Sequence, residues 1–134
     1  MRNKEKSRDK PYFAHDENLE FLQLRKKCNK LALFTSFVRV MKKQGVFDAI
    51  AIRECNKRDF HIITHNTEDF RKPSAKIKIG IICIGLKNED IWIPKIIKLF
   101  RRYPKHKDYY NKNIFISNGI TIEDRKSLSK QYLT

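Results

Sequence analysis

A chain of 134 residues is long enough for one domain with a core of its own and too short for two. Hydrophobic residues at 40% and charged residues at 34% exclude a disordered chain, and the longest apolar run, Ile79 to Leu86, is too short to span a bilayer. Thirty Lys and Arg against 15 Asp and Glu give a net charge of +15 and a pI near 9.9, which points to a polyanionic partner, nucleic acid ahead of an anionic membrane surface.

In chain order, residues 1–10 read as a flexible basic tail without the apolar stretch of a secretory signal. Tyr12 to His15 is a short strand, with Pro11 tolerated at its first position. Glu17 to about Lys30 places Leu19, Phe21, Leu22, Leu24 and Cys28 on a helical face. Leu31 to Val40 fits a buried strand or a helix equally well. Asp48 to about Lys57 is a helix, with Asp48 as N-cap or first-turn acid and Arg53, Lys57 and Arg58 towards its end. Phe60 to Thr64 is a strand, and Lys72-Pro73-Ser74 marks a loop.

Ile77 to Leu86, β-branched and bounded by charge, reads as a central strand covered on both faces. Ile91 to Tyr103 is an amphipathic helix that buries Ile93, Ile96, Ile97, Leu99 and Phe100, with Pro94 in its first turn. Lys105 to Lys112 is a basic, Tyr-containing loop. Asn113 to Ser117 and Ile120 to Ile122 flank Asn118-Gly119, the signature of a hairpin with a type I′ turn. Beyond Asp124 a polar tail frays. The expected organisation is one domain over residues 11–124, with tails at 1–10 and 125–134.

Strands alternating with helices argue for an α/β fold with a mostly parallel sheet. In such sheets ligands bind outside the carboxyl ends of the strands. Asp16 and the Thr64–Asp69 segment follow strand ends, and Asp48 opens a helix, so the three groups are expected to share one sheet edge. Mg²⁺ and Mn²⁺ take oxygen ligands, and one or two such ions both activate a water and stabilise a leaving oxygen in phosphodiester hydrolysis. Asp16, Asp48 and Asp69 are the expected metal ligands. Asn66 or Glu68 assists them, and the Thr64 hydroxyl orients a carboxylate or a metal-bound water.

The cations are the expected nucleic-acid contacts. Residues 21–47 hold Arg25, Lys26, Lys27, Lys30, Arg39, Lys42 and Lys43 and no acid. A second stretch, with Arg101 and Arg102, interleaves cations with Tyr103, Tyr109 and Tyr110, a composition suited to gripping backbone and stacking bases. His65 reads as a surface residue without a chemical role. Cys28, Cys55 and Cys83 form no CxxC pair and read as reduced thiols of a cytoplasmic protein rather than a zinc site or a disulfide framework.

The stretch from Asp48 through Ile63-Thr64-His65-Asn66-Thr67-Glu68-Asp69-Phe70 resembles the segment of VapC-type toxins of the PIN domain superfamily, in which an acid opens a helix and a Thr-x-Asn/Asp-x-x-Asp/Glu-Phe signature follows. Phe13-Ala14-His15-Asp16-Glu17-Asn18-Leu19 is similar to the first strand of the small PIN-like family that ends in Asp-Glu-Asn-Leu, and Ile114 to Ile122 to that family's closing hairpin. The resemblance spans residues 11–123. It implies an α/β/α sandwich, a Mg²⁺ or Mn²⁺ site, and an endoribonuclease, often the toxin of a toxin–antitoxin pair and often a homodimer. By position, Asp16 and Asp48 match metal-ligating acids, and Asn66 and Asp69 match the polar positions after the Thr64 strand.

The chain departs from that pattern in three places. Nothing between Glu20 and Asp48 is acidic, Asn66 stands where many relatives carry Asp, and His15 replaces an apolar residue. The alternative expectation is therefore a PIN-like module with weakened catalysis that binds RNA or a protein. Neither a helix-turn-helix nor a zinc pattern supports a DNA-binding regulator, and no membrane partner is expected.

Overall fold

The computed structural model describes residues 9–15, 19–36, 48–65 and 76–133. Strands β1 (Tyr12–His15), β2 (Leu33–Ser36), β3 (His61–Thr64), β4 (Ile81–Ile84), β5 (Lys112–Ile116), β6 (Ile120–Asp124) and β7 (Lys130–Leu133) form one sheet in the order β2-β1-β3-β4-β5-β6-β7. The first five are parallel; β6 and β7 are antiparallel to their neighbours. Helices α1 (Leu19–Lys27), α2 (Asp48–Arg58) and α3 (Glu89–Arg102), with a 3-10 turn at His106–Tyr109, complete the described elements. The α/β class and mostly parallel sheet are as expected, and none of the described helices is long and apolar enough to cross a membrane.

Alternation along the parallel strands divides the interior into two clusters. Phe13, Ile63, Ile82 and Ile84 join Phe21 and Leu24 of α1 and Trp92, Ile93, Ile96, Leu99 and Phe100 of α3. The intervening residues Ala14, Ile62, Ile81 and Cys83 join Ala51, Ile52 and Cys55 of α2. Both faces of β3 and β4 are thus buried, which is why Ile62-Ile63 and Ile81–Ile84 are apolar without interruption rather than alternating.

Several local expectations change. The ambiguous 31–40 stretch contributes strand β2. The central strand is shorter than its apolar run: Ile79 is buried ahead of it, and Gly80 meets Tyr109 so closely that a Cβ would overlap the Tyr109 carbonyl. Helix α3 begins earlier than expected, because the Asn88 side chain accepts the Asp90 N–H at 2.9 Å as an N-cap. Pro94 therefore falls in its second turn, and Trp92, overlooked on the apolar face, is fully buried.

The β5–β6 hairpin is present, but Ile116 pairs with Ile120 across a three-residue loop, and Asn118 is not in the positive-φ region that a type I′ turn requires. Residues 130–133 are a seventh strand rather than a frayed tail, and Arg125 just before it is buried. All three thiols are free and buried; burial, opposed by nearby Arg101 and Lys27, pushes Cys28 up to about 11.

Candidate functional site

The five parallel strands run in the order 2-1-3-4-5, so the chain's winding direction reverses between β1 and β3. In doubly wound sheets the crevice outside the carboxyl ends at this reversal is where ligands bind. Here β1 and β3 are directly hydrogen-bonded neighbours, with His15 opposite Ile63. The chain leaves β1 towards Asp16 and leaves β3 at Thr64, which is fully buried, towards Asn66 and Asp69.

The position of Asp48 follows from how α2 ends. Phe60 N–H donates to the Cys55 carbonyl at 2.9 Å, and the Asn56 side chain accepts Lys78 N–H at 2.8 Å and Ile79 N–H at 3.2 Å, tying the last turn of α2 to the starts of β3 and β4. Asp48 is the first residue of this 11-residue helix, about 15 Å back along its axis, at the edge where the strands end. Asp48 and Thr64 thus reach the same edge. Asp16, Asn66 and Asp69 lie outside the described residues, as do Arg39, Lys42 and Lys43.

Beneath this edge lies a floor of rings. His15, only 3% exposed, stacks on Phe21 with centroids 4.8 Å apart and planes at 18°. Phe21 reaches His65 at 5.5 Å, and His65 meets Trp92 edge-on at 5.4 Å. The imidazole at position 15 thus packs where an apolar residue was expected. His65 is half-buried against the lone Trp rather than standing on the surface. The acids and the amide that the sequence places after these strand ends carry oxygen donors, the type that Mg²⁺ and Mn²⁺ take. Among the described residues, no three His, Cys, Asp or Glu side chains gather as a metal site.

The described helix-end cations are elsewhere. All three helices run back against the strands, so their C-termini gather at the opposite, amino edge. Each ends in cations: Arg25, Lys26 and Lys27 on α1, Lys57 and Arg58 on α2, Arg101 and Arg102 on α3. Lys30 follows α1 in the turn that leads into β2. Basic last turns complement the helix dipole, and the fold collects three of them on one side. Arg25 to Lys30 thus stand the length of α1 away from that helix's N-terminus.

The amino edge also holds a polar cluster that sequence reasoning missed. His61, fully buried at the start of β3, accepts Gly80 N–H at Nδ1 (2.8 Å) and donates from Nε2 to the His106 carbonyl (2.8 Å). Both nitrogens are committed, so the ring is neutral; burial and the adjacent His106 push it down to about 3. His106 Nδ1 accepts Tyr12 N–H at 3.1 Å, which leaves its Nε2 proton facing Asp59 Oδ1 at 3.3 Å, a charge-pair distance without hydrogen-bond alignment.

Asp59 takes a positive φ of 63° and accepts the Tyr110 hydroxyl at 2.8 and 2.9 Å. Burial opposes ionisation of Asp59, but Tyr110 and His106 outweigh it and hold its carboxyl below the usual value. Burial and the Asp59 bond raise Tyr110 to about 12. These side chains, with Asp9, Lys105 and Lys107, line an open cavity of about 330 Å³.

Further along the edge, Arg125 donates to the carbonyls of Lys112 (3.1 Å), Ile77 (3.0 Å) and Ile79 and to Asn113 Oδ1 (2.6 Å). It clips the entry to β4 against β5. No family model, no curated protein and no solved structure matches the chain.

Proposed function

We propose that the protein is a PIN-like, metal-dependent endoribonuclease whose site is the carboxyl edge at β1 and β3. The observation that carries the reading is the direct pairing of β1 with β3 at the reversal of the sheet. It brings together two strand ends that the sequence follows with Asp16 and with Asn66 and Asp69, on the edge that α2 approaches with Asp48. The two core clusters, with α1 and α3 in one and α2 in the other, support the finer reading of a three-layer α/β/α sandwich.

Asp16, Asp48 and Asp69 would hold Mg²⁺ or Mn²⁺, which supplies charge neutralisation at the phosphate and a water acidic enough to attack it. The Thr64 hydroxyl, at the buried end of β3, would orient a carboxylate or a metal-bound water. A toxin role, with a small antitoxin partner and a homodimeric state, is the biological setting this reading proposes.

The test is incubation of a mixed RNA pool with Mg²⁺, Mn²⁺ or EDTA, beside an Asp16→Asn/Asp48→Asn variant of matched thermal stability. Metal-dependent cleavage that disappears in the variant is the expected result. Intact RNA in every lane overturns the reading and leaves the alternative, a PIN-like module that binds RNA or a protein without cutting. That alternative draws on the absence of any acid between Glu20 and Asp48.

A further inference from the structure

The amino edge has no part in that reaction, yet it concentrates cations beyond what the fold needs. A basic last turn contributes about 0.3–1 kcal/mol to its helix, and one cation per helix achieves most of that. Here α1 alone supplies three, and Lys30, Lys105 and Lys107 follow outside any α-helix. Lys27, Lys30, Arg101, Arg102, Lys105 and Lys107 are exposed, and none forms an ion pair with a described carboxylate.

Two of the acids on this edge are turned to internal duties. Asp59 holds the Tyr110 hydroxyl and faces His106, and Asp108 accepts the Lys105 backbone N–H at 3.0 Å. Aromatic faces alternate with the charges: Lys78 lies over the Tyr110 ring at 4.3 Å and Arg102 lies 6.0 Å from the Tyr103 ring. Held apart at separate helix and turn ends, these cations repel one another across the edge, a cost that an arriving chain of phosphates relieves.

We propose that the amino edge binds the phosphodiester backbone of a nucleic acid, at a surface separate from the carboxyl edge and independent of any metal there. Cations release counterions from the backbone while the half-buried rings of Tyr103 and Tyr110 stack bases without reading sequence. A lipid surface fits less well, because the charges come from several element ends rather than from one amphipathic helix with an apolar face to insert.

The experiment uses the full chain in EDTA, with a fluorescent single-stranded RNA of about 20 nucleotides, long enough to cover one such groove, read by anisotropy over a salt series. Lys27→Gln/Arg101→Gln/Lys105→Gln removes three amino-edge cations. Lys87→Gln/Lys95→Gln/Lys98→Gln removes three from the carboxyl edge and the body of α3, for the same change in net charge. The first variant is expected to bind about tenfold or more weakly and to lower the salt slope by about two, at roughly 0.7 per phosphate contact.

The second is expected to stay within about threefold of the wild type, as bulk charge alone gives a small effect at physiological salt. Single-stranded DNA of the same length separates the sources: equal binding assigns the surface to phosphodiesters in general, and weaker binding assigns it to RNA. Equal losses in the two variants, no binding of either nucleic acid, or tighter binding to phosphatidylserine vesicles would each overturn the proposal. None of these outcomes depends on cleavage, so it can fail while the nuclease reading stands, and the reverse.

Discussion

The two edges of one parallel sheet have been given opposite chemistry. At the carboxyl edge lie Asp48 at a helix start and an aromatic floor of Phe21, His65 and Trp92. The amino edge carries the basic ends of all three helices and a buried network centred on His61 and Arg125. The separation is a consequence of topology. Every helix that returns a chain from the end of one strand to the start of the next presents its N-terminus to one edge and its C-terminus to the other. Acids favour the first position and cations the second. The described helix-end cations therefore gather at the opposite edge of the sheet from a helix-start acid such as Asp48.

Substitutions that treat the edges differently sharpen this contrast. The largest effect is expected from Asp48→Asn, which on this account lowers metal-dependent RNA cleavage on the order of a thousandfold, the several kcal/mol of transition-state stabilisation that a metal-held phosphate receives. Asp59→Asn, an acid of the other edge, leaves the rate unchanged. Equal losses in the two, measured as initial rates on one RNA substrate, would erase the distinction.

Next in size is a stability effect confined to the amino edge. Arg125→Leu strands three carbonyls and the Asn113 side chain in a buried setting and is expected to cost about 3 kcal/mol, read as a lowered urea midpoint with unchanged slope. A shift near zero would mean that water replaces the guanidinium without loss.

A smaller effect carries a pH signature. His61 is neutral when folded, with its proton affinity pushed down to about 3, whereas the unfolded chain holds an ordinary imidazole. Between those two values the unfolded state binds the extra proton. Folding stability therefore falls as pH drops below the ordinary His range, by up to about 1.4 kcal/mol for each pH unit, and is fully present above it. Urea midpoints of the wild type are expected to decline steeply from neutral pH to pH ~4.5. His61→Asn is expected to begin lower and decline less. Parallel pH profiles would assign the acid sensitivity to other groups.

Much of the scaffold was legible in the residues. Tyr12–His15 and His61–Thr64 announce themselves as β-type runs between polar breaks. The Asn118-Gly119 pair marks the hairpin, although the three-residue loop that pairs Ile116 with Ile120 escaped it. Strand β7 was not legible, because Lys130-Gln131-Tyr132-Leu133 is an exposed edge strand whose order comes from pairing with β6 rather than from burial. The placement of Arg25 to Lys30 was not legible for a geometric reason. Arg25 to Lys30 stand close to Asp16 in sequence, but a nine-residue helix carries them about 13 Å towards the other edge. The His61–His106 contact joins positions 45 residues apart that share no local signal. Arg125, read as part of a polar tail, is buried by strands that no single segment specifies.

The most direct test of the proposed site is whether Mn²⁺ binds at the carboxyl edge. Mn²⁺ titrated into isotopically labelled protein broadens amide resonances near its site. Selective loss of the His15, Thr64 and Gly85 amides, with Gly80, Asn111 and Arg125 spared and the effect abolished in Asp16→Asn/Asp48→Asn, is the predicted result. Broadening centred on Asp59 and His106, or none that saturates, would contradict a metal-dependent site at the carboxyl edge.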